Sequence, residues 1–94
     1  MNKRELVAAA ARRTPLTQRQ VRQALDAVLE AIAEALTEGE AVALSDFGRF
    51  LVQCYPGRRL RRFDGAGSCM VEDRRVPVFR SSAALRRRVK EKDS

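Results

Sequence analysis

The chain has 94 residues, with 19 Lys or Arg against 12 Asp or Glu, and its formal net charge is +7. A chain of this length forms one domain with a marginal core, since it buries only about two thirds of its unfolded surface. The lack of histidine and the spacing of Cys54 and Cys69 argue against a zinc-type site and against an enzyme. No apolar run suits a signal peptide or a membrane span. The arginine-rich charge favours nucleic acid over a membrane surface or a small-molecule substrate.

Two helices are predicted in the first 38 residues. Asn2 is a good N-cap for a helix over about residues 3–13, which Thr14-Pro15 ends, because proline disfavours helical geometry in the residue before it. Lys3 opposes the helix dipole in the opening turn, which indicates an external phosphate near that end. Thr17 and Gln20 have capping-box spacing for a longer second helix. Its apolar stripe predicts a core face and comprises Val21, Ala24, Leu25, Val28, Leu29, Ile32, Ala35 and Leu36.

Short strands follow the second helix. Gly39 is expected to end that helix in a left-handed conformation, and Ala41–Leu44 to form the first strand. After a turn at Ser45-Asp46, the second strand runs from Phe47 to Tyr55, with Phe47 and Phe50 as core residues. Gly48 is expected to relieve crowding between these two phenylalanines.

A third strand and a final helix are predicted near the C-terminus. Val76–Phe79 reads as a strand in which Pro77 implies an edge or strand-start position. Ser81 or Ser82 is expected to cap a helix that ends near residue 90, with Arg86 on its outer side.

The sequence of residues 53–75 predicts a long basic hairpin between the second and third strands, which we call the arm. The apolar alternation stops at Pro56-Gly57, and residues 64–67 supply a turn. A disordered basic loop is the alternative. With a turn near residue 64, Cys54 lies opposite about residue 75 and far from Cys69, so no disulfide is expected.

The order of elements resembles the bacterial histone-like HU/IHF family of DNA-bending proteins. The matching segments fall in register without gaps and are Met1-Asn2-Lys3, Glu38-Gly39-Glu40-Ala41-Val42, Asp46-Phe47-Gly48-Arg49-Phe50, Val76-Pro77-Val78-Phe79 and Ala84-Leu85. The resemblance implies an α+β fold, with two N-terminal helices, a three-stranded antiparallel sheet carrying a β-ribbon arm, and a short C-terminal helix. It divides the chain into a helical dimerisation base (residues 1–38), a sheet with the C-terminal helix (39–52 and 76–90) and a DNA-binding arm (53–75).

The resemblance also implies how the protein acts. An intertwined homodimer, or a heterodimer, is expected to hold double-stranded DNA between two arms through the minor groove, and to bend it with little sequence specificity. No cofactor is expected, and the implied location is the nucleoid in the cytoplasm. The implied DNA-binding residues are Lys3, Arg58, Arg59, Arg61, Arg62, Phe63, Arg74, Arg75, Arg80 and Arg86.

The sequence departs from the family pattern in two places. The arm tip of the family reads R-N-P-x-T-G, and the proline position is occupied here by Phe63, which is interpreted as a wedge between base pairs or as a cover for the hairpin. On the second strand, Leu51, Gln53 and Tyr55 share one side, so the root of the arm is expected to be less basic than in the family. Glu72-Asp73 adds negative charge to the returning strand.

The sequence leaves three alternative functions or folds. An IHF-like sequence-selective DNA bender is the nearest alternative. A dimeric protein-interaction module with reduced DNA affinity is the second, motivated by Leu51, Tyr55, Phe63 and Met70. A helix-turn-helix interpretation of residues 3–36 fits poorly, because the second helix is long and its outer face is acidic.

Overall fold

The structure is a computed structural model, and it describes residues 1–55 and 74–92. These residues form two compact units that divide after Glu34, within the second helix. The predicted α+β class is confirmed. The division into base, sheet and arm stays a prediction. In chain order the elements are α1 (Lys3–Ala11), α2 (Gln18–Thr37), β1 (Val42–Leu44), β2 (Gly48–Tyr55), β3 (Arg74–Ser81) and α3 (Ala83–Lys92).

Both N-terminal helices begin at the predicted caps. The Glu5 N–H donates to Asn2 Oδ1 and the Asn2 N–H donates to Glu5 Oε1, both at 2.9 Å. Thr17 and Gln20 make the same reciprocal exchange, at 2.9 and 3.1 Å. Each capping box satisfies backbone donors that a helix N-terminus leaves without partners. Helix α1 ends at Ala11, earlier than predicted, because the amides of residues 13 and 14 bond to carbonyls only three residues back.

The chain leaves α2 through a left-handed glycine, as predicted. Gly39 has φ +83°, and its N–H donates to Leu36 O at 2.9 Å. The Glu40 N–H donates to Ala35 O at 2.8 Å. These two bonds occupy carbonyls that the helix C-terminus would otherwise leave free. The turn before β2 contains a second left-handed residue, Asp46, with φ +63°.

The sheet has the order β1-β2-β3 and is antiparallel throughout. β3 extends beyond the predicted Val76–Phe79 at both ends, and Pro77 lies on an edge strand, as predicted. Cys54 is the register partner of Arg75, which confirms the predicted pairing. The absence of a disulfide stays a prediction, because Cys69 lies outside the described residues.

Helix α3 begins after Ser82, one of the two predicted caps. Ser82 Oγ accepts a hydrogen bond from the Leu85 N–H at 3.0 Å. The helix continues to Lys92, two residues beyond the predicted end. Within residues 1–55 and 74–92, no helix is long and apolar enough to cross a membrane.

Three aromatic rings pack beside β2 and β3. The ring of Phe79 lies 5.5 Å from that of Phe47 and 5.0 Å from that of Phe50, measured between centroids. Gly48 is buried against Phe79, since a Cβ at this position would lie 2.6 Å from Phe79 Cζ and 2.5 Å from Arg80 O. β3 therefore crowds this position, whereas the predicted relief of crowding between Phe47 and Phe50 stays a prediction.

The apolar stripe of α2 is largely uncovered within one chain. Val28 and Leu29 are 52% and 42% exposed, and Phe47 is 47% exposed. Among the described hydrophobic residues, Val7 is the buried one, at 3% exposure. The prediction that Val28, Leu29 and Phe47 are core residues is therefore wrong for a single chain. Amphipathic periodicity indicates which face is apolar but not which molecule covers it.

Candidate nucleic-acid interface

The β2–β3 ribbon has one cationic face. Side chains alternate between the two faces of a strand, and directly opposed residues of paired strands share a face. One face therefore carries Arg49, Leu51, Gln53 and Tyr55 with their register partners Arg80, Val78, Val76 and Arg74. We call these eight residues the cationic face. The opposite face carries Phe50, Val52 and Cys54 with Phe79, Pro77 and Arg75.

β3 adds positive charge to the face of the ribbon that carries Leu51, Gln53 and Tyr55. The expectation that the root of the arm is less basic than in the family stays a prediction. β3 places Arg74 opposite Tyr55 and Arg80 opposite Arg49. Arg49 was not among the predicted DNA-binding residues, although its two-residue spacing from Leu51 was a signal that could have placed it on this face.

Arg49 and Arg80 form a like-charge pair across the two strands. Opposed like charges destabilise a sheet, so this arrangement gains from an anion that both guanidinium groups contact. Arg80 Nη2 donates to Gln53 Oε1 at 3.1 Å, which holds the Arg80 side chain on the cationic face. The geometry therefore favours a shared anionic ligand.

A groove of about 630 Å³ is lined by residues of all three strands and of α3, and three arginines are among them: Arg49, Arg80 and Arg86. No carboxylate is among its lining residues. Arg86 Nη1 donates to Ser81 O at 2.6 Å, which holds this guanidinium beside the start of α3. Helix N-termini favour anions, so the helix and the arginines attract the same kind of ligand. The groove is suited to phosphate groups.

Arg74 and Arg75 point to opposite faces of the ribbon. The guanidinium carbon of Arg74 lies 5.9 Å from the centroid of the Tyr55 ring, within the range of a cation–π interaction. Arg75 Nη2 donates to Thr37 O at 3.3 Å, at the last residue of α2. These neighbouring residues, both predicted to bind DNA, thus have different surroundings.

Lys3 belongs to the first compact unit, at the start of α1. Its Nζ lies 2.9 Å from Asp26 Oδ1, and Arg22 Nε lies 3.9 Å from Asp26 Oδ2. The Lys3 hydrogen bond lowers the pKa of the Asp26 carboxyl from its ordinary value, and the charges of Lys3 and Arg22 add to this effect while burial opposes it. Because the folded pKa is lowered, the contribution of this ion pair is fully present above the ordinary pKa of the carboxyl and is lost as the pH falls through the lowered pKa of the folded state. An exposed pair of this kind adds little stability, but it offsets the charge of Lys3.

A sequence model of the family described as bacterial DNA-binding protein matches residues 1–90. The chain belongs to this family. The chain is 36% identical to the DNA-binding protein HU of Staphylococcus aureus over 90 residues, which are 96% of this chain and 100% of that relative. The DNA-binding protein HU of Geobacillus stearothermophilus has the same identity and coverage.

Solved HU structures resemble this chain over nearly its whole length. An Anabaena HU–DNA cocrystal structure has a TM-score of 0.72 and 34% identity, covering 95% of this chain and 97% of that one. The resemblance inferred from the sequence is confirmed.

Five of the predicted DNA contacts lie outside the described residues: Arg58, Arg59, Arg61, Arg62 and Phe63. Their roles, including that of Phe63 as a wedge, stay predictions, as does the hairpin of the arm. Arg80 and Arg86 line one groove together with Arg49. Arg74 lies further along the cationic face, and Arg75 lies on the other face.

Proposed function

We propose that the protein is an architectural DNA-binding protein that binds duplex DNA through the minor groove with low sequence specificity and bends it. The observation that carries this proposal is the groove lined by Arg49, Arg80 and Arg86. Guanidinium groups bind phosphate oxygens in a fork geometry and keep their charge at all physiological pH values. Contacts to phosphates hold a duplex in place without reading its sequence.

The working form is proposed to be a homodimer, with a heterodimer as the alternative. Val28 and Leu29 on α2 are about half exposed in one chain. A small domain with this much uncovered apolar surface gains stability from a second copy. Each copy would contribute one cationic face and one arm to the DNA, in the cytoplasm at the nucleoid.

The surroundings of Leu51 and Tyr55 support DNA binding over the protein-interaction module. That alternative requires a dry apolar surface on the ribbon, whereas both residues share their face with Arg49, Arg74 and Arg80. The IHF-like sequence-selective alternative is not favoured, because the relatives and the cocrystal structure described above are HU proteins.

A salt titration of binding to a short duplex with donor and acceptor dyes at its ends tests this proposal. Affinity should fall steeply as salt rises, because bound phosphates release counterions, and the end-to-end distance should shorten. Arg80→Met should reduce the slope of log affinity against log salt by about one for each phosphate contact that is lost. Arg19→Met, which removes an equal charge from the exposed start of α2, is the matched control and should change the slope less.

Two results would contradict the proposal in different ways. Absence of binding at low salt would refute DNA binding itself. Salt-sensitive binding without shortening of the duplex would refute bending and leave a protein that coats DNA. Phe63→Ala separately tests the wedge, since a wedge residue should change the bend more than the affinity.

A further inference from the structure

The C-terminal end of α2 receives a cation from a distant strand. Arg75 on β3 donates from Nη2 to Thr37 O at 3.3 Å, and the two residues are 38 positions apart in the chain. The same guanidinium nitrogen lies 3.8 Å from where a Cβ on Gly39 would be, so it sits directly over the left-handed turn that ends the helix. The first residues of β3 are thereby tied to the end of α2.

This contact supplies a charge that α2 lacks locally. The last turn of α2 contains no basic residue, and Glu38 and Glu40 follow it in the chain. The C-terminus of a helix carries a partial negative charge and favours cations, so two acidic residues at this end are unfavourable. Arg75 brings the compensating positive charge to a backbone carbonyl of the last turn.

Arg74 provides an internal comparison. It has the same charge and the adjacent position, but it lies on the cationic face with its guanidinium over Tyr55. Stacking on an aromatic ring leaves the N–H groups at the guanidinium edge free to bind phosphate. Arg75 lies on the opposite face and directs a donor to the protein backbone.

We propose that Arg75 is a positioning residue, which anchors the root of the arm to the C-terminal end of α2, and that Arg74 is the phosphate contact of this pair. The proposal rests on the proposed DNA-binding function. Cys54 and Arg75 are register partners next to the last described pair of the ribbon, Tyr55 and Arg74. The orientation of the ribbon at this point sets the direction in which the predicted arm leaves the sheet, and hence the bend that the dimer imposes on DNA.

The matched variants Arg75→Met and Arg74→Met test this assignment, since each removes one charge and retains an unbranched side chain. Amide hydrogen exchange of the DNA-free protein is measured at Gly39 and Glu40, whose N–H groups form the cap of α2. Arg75→Met should accelerate exchange there by roughly two- to fivefold, the effect of losing a favourable charge at a helix end. Arg74→Met should leave these amides unchanged.

The same two variants are then compared by dye-labelled duplex titration. Arg74→Met should reduce the salt slope by about one for each arm in contact with DNA. Arg75→Met should keep the wild-type slope while the end-to-end distance of the saturated complex increases or becomes more broadly distributed. A residue needed only for folding would not alter the bend of a fully folded, saturated complex.

The proposal is overturned if Arg75→Met lowers the salt slope as much as Arg74→Met does, because Arg75 would then be a phosphate contact. It is also overturned if exchange at Gly39 and Glu40 is unaffected by Arg75→Met, or if the bend is unchanged. A wild-type protein that binds no DNA would refute the proposed function instead, and the exchange measurement would still decide whether Arg75 anchors α2.

Discussion

Gly48→Ala should destabilise the protein by placing a methyl group where β3 leaves no room. The new Cβ would lie 2.5 Å from Arg80 O and 2.6 Å from Phe79 Cζ, both closer than van der Waals contact. The carbonyl cannot move without disturbing the pairing of Arg49 with Arg80, and the ring is held between Phe47 and Phe50. Overpacking of this kind costs about 1–3 kcal/mol.

A smaller effect acts in the opposite direction. Alanine restricts the unfolded chain more than glycine does, which stabilises the folded state by about 0.4–1 kcal/mol. The middle of each range, about 2 kcal/mol lost and about 0.7 kcal/mol regained, gives a net loss for Gly48→Ala of about 1.3 kcal/mol, or a fall in Tm of roughly 5–10 °C for a domain of this size. Thermal unfolding followed by circular dichroism at one fixed protein concentration measures it, since the Tm of a dimer depends on concentration.

The double variant Gly48→Ala/Phe79→Leu separates the two clashes. Leucine removes the Phe79 ring atoms from the contact, whereas Arg80 O stays in place. The loss of unfolding free energy in the double variant should be smaller than the sum of the two single losses by at least about 0.5 kcal/mol. The reason is that the two residues are in contact, so the second change relieves part of the clash made by the first. A Gly48→Ala protein within about 0.5 kcal/mol of the wild type would refute the close approach of β3 on which this reasoning depends.

Three further changes test other contacts. Asp26→Asn releases Lys3, so it should raise DNA affinity and steepen the salt slope by about one per chain. Glu30→Gln removes an equal charge without releasing Lys3 and should have a smaller effect. Equal effects of the two variants in the titration would mean that only net charge matters. Asp46→Ala keeps the left-handed φ of +63° without the polar side chain that tolerates it, and should lower the unfolding free energy in urea by about 1 kcal/mol. An unchanged urea midpoint would argue against strain at this turn. Ser82→Ala removes the cap of α3 and should cost about 0.5–2 kcal/mol in the same assay. A smaller loss would contradict the capping role of this hydroxyl.

Features that depend on neighbouring residues could be predicted from the sequence. The caps at Asn2, Thr17 and Ser82 and the left-handed Gly39 each depend on chemistry within about four positions. The pairing of Cys54 with Arg75 followed from counting outward from a predicted turn. Such local rules place the helices and strands to within a few residues.

The contacts that distinguish the candidate site could not be predicted in this way. Lys3 and Asp26 are 23 positions apart, and Arg75 and Thr37 are 38 apart, so only the folded chain brings them together. The resemblance to the family therefore implied a single role for Lys3, Arg74 and Arg75. Their surroundings are an ion pair, an aromatic ring and a helix terminus, respectively.

The position of Pro77 on an edge strand affects how many copies of the protein can be crowded together. Proline lacks an N–H group, so β3 cannot offer an unbroken row of donors to a strand from another molecule. Arg74, Arg75 and Arg80 on the same strand add mutual repulsion between like edges. Proteins concentrated along one duplex would otherwise be exposed to strand-to-strand aggregation, and this edge lets neighbours lie side by side without fusing their sheets.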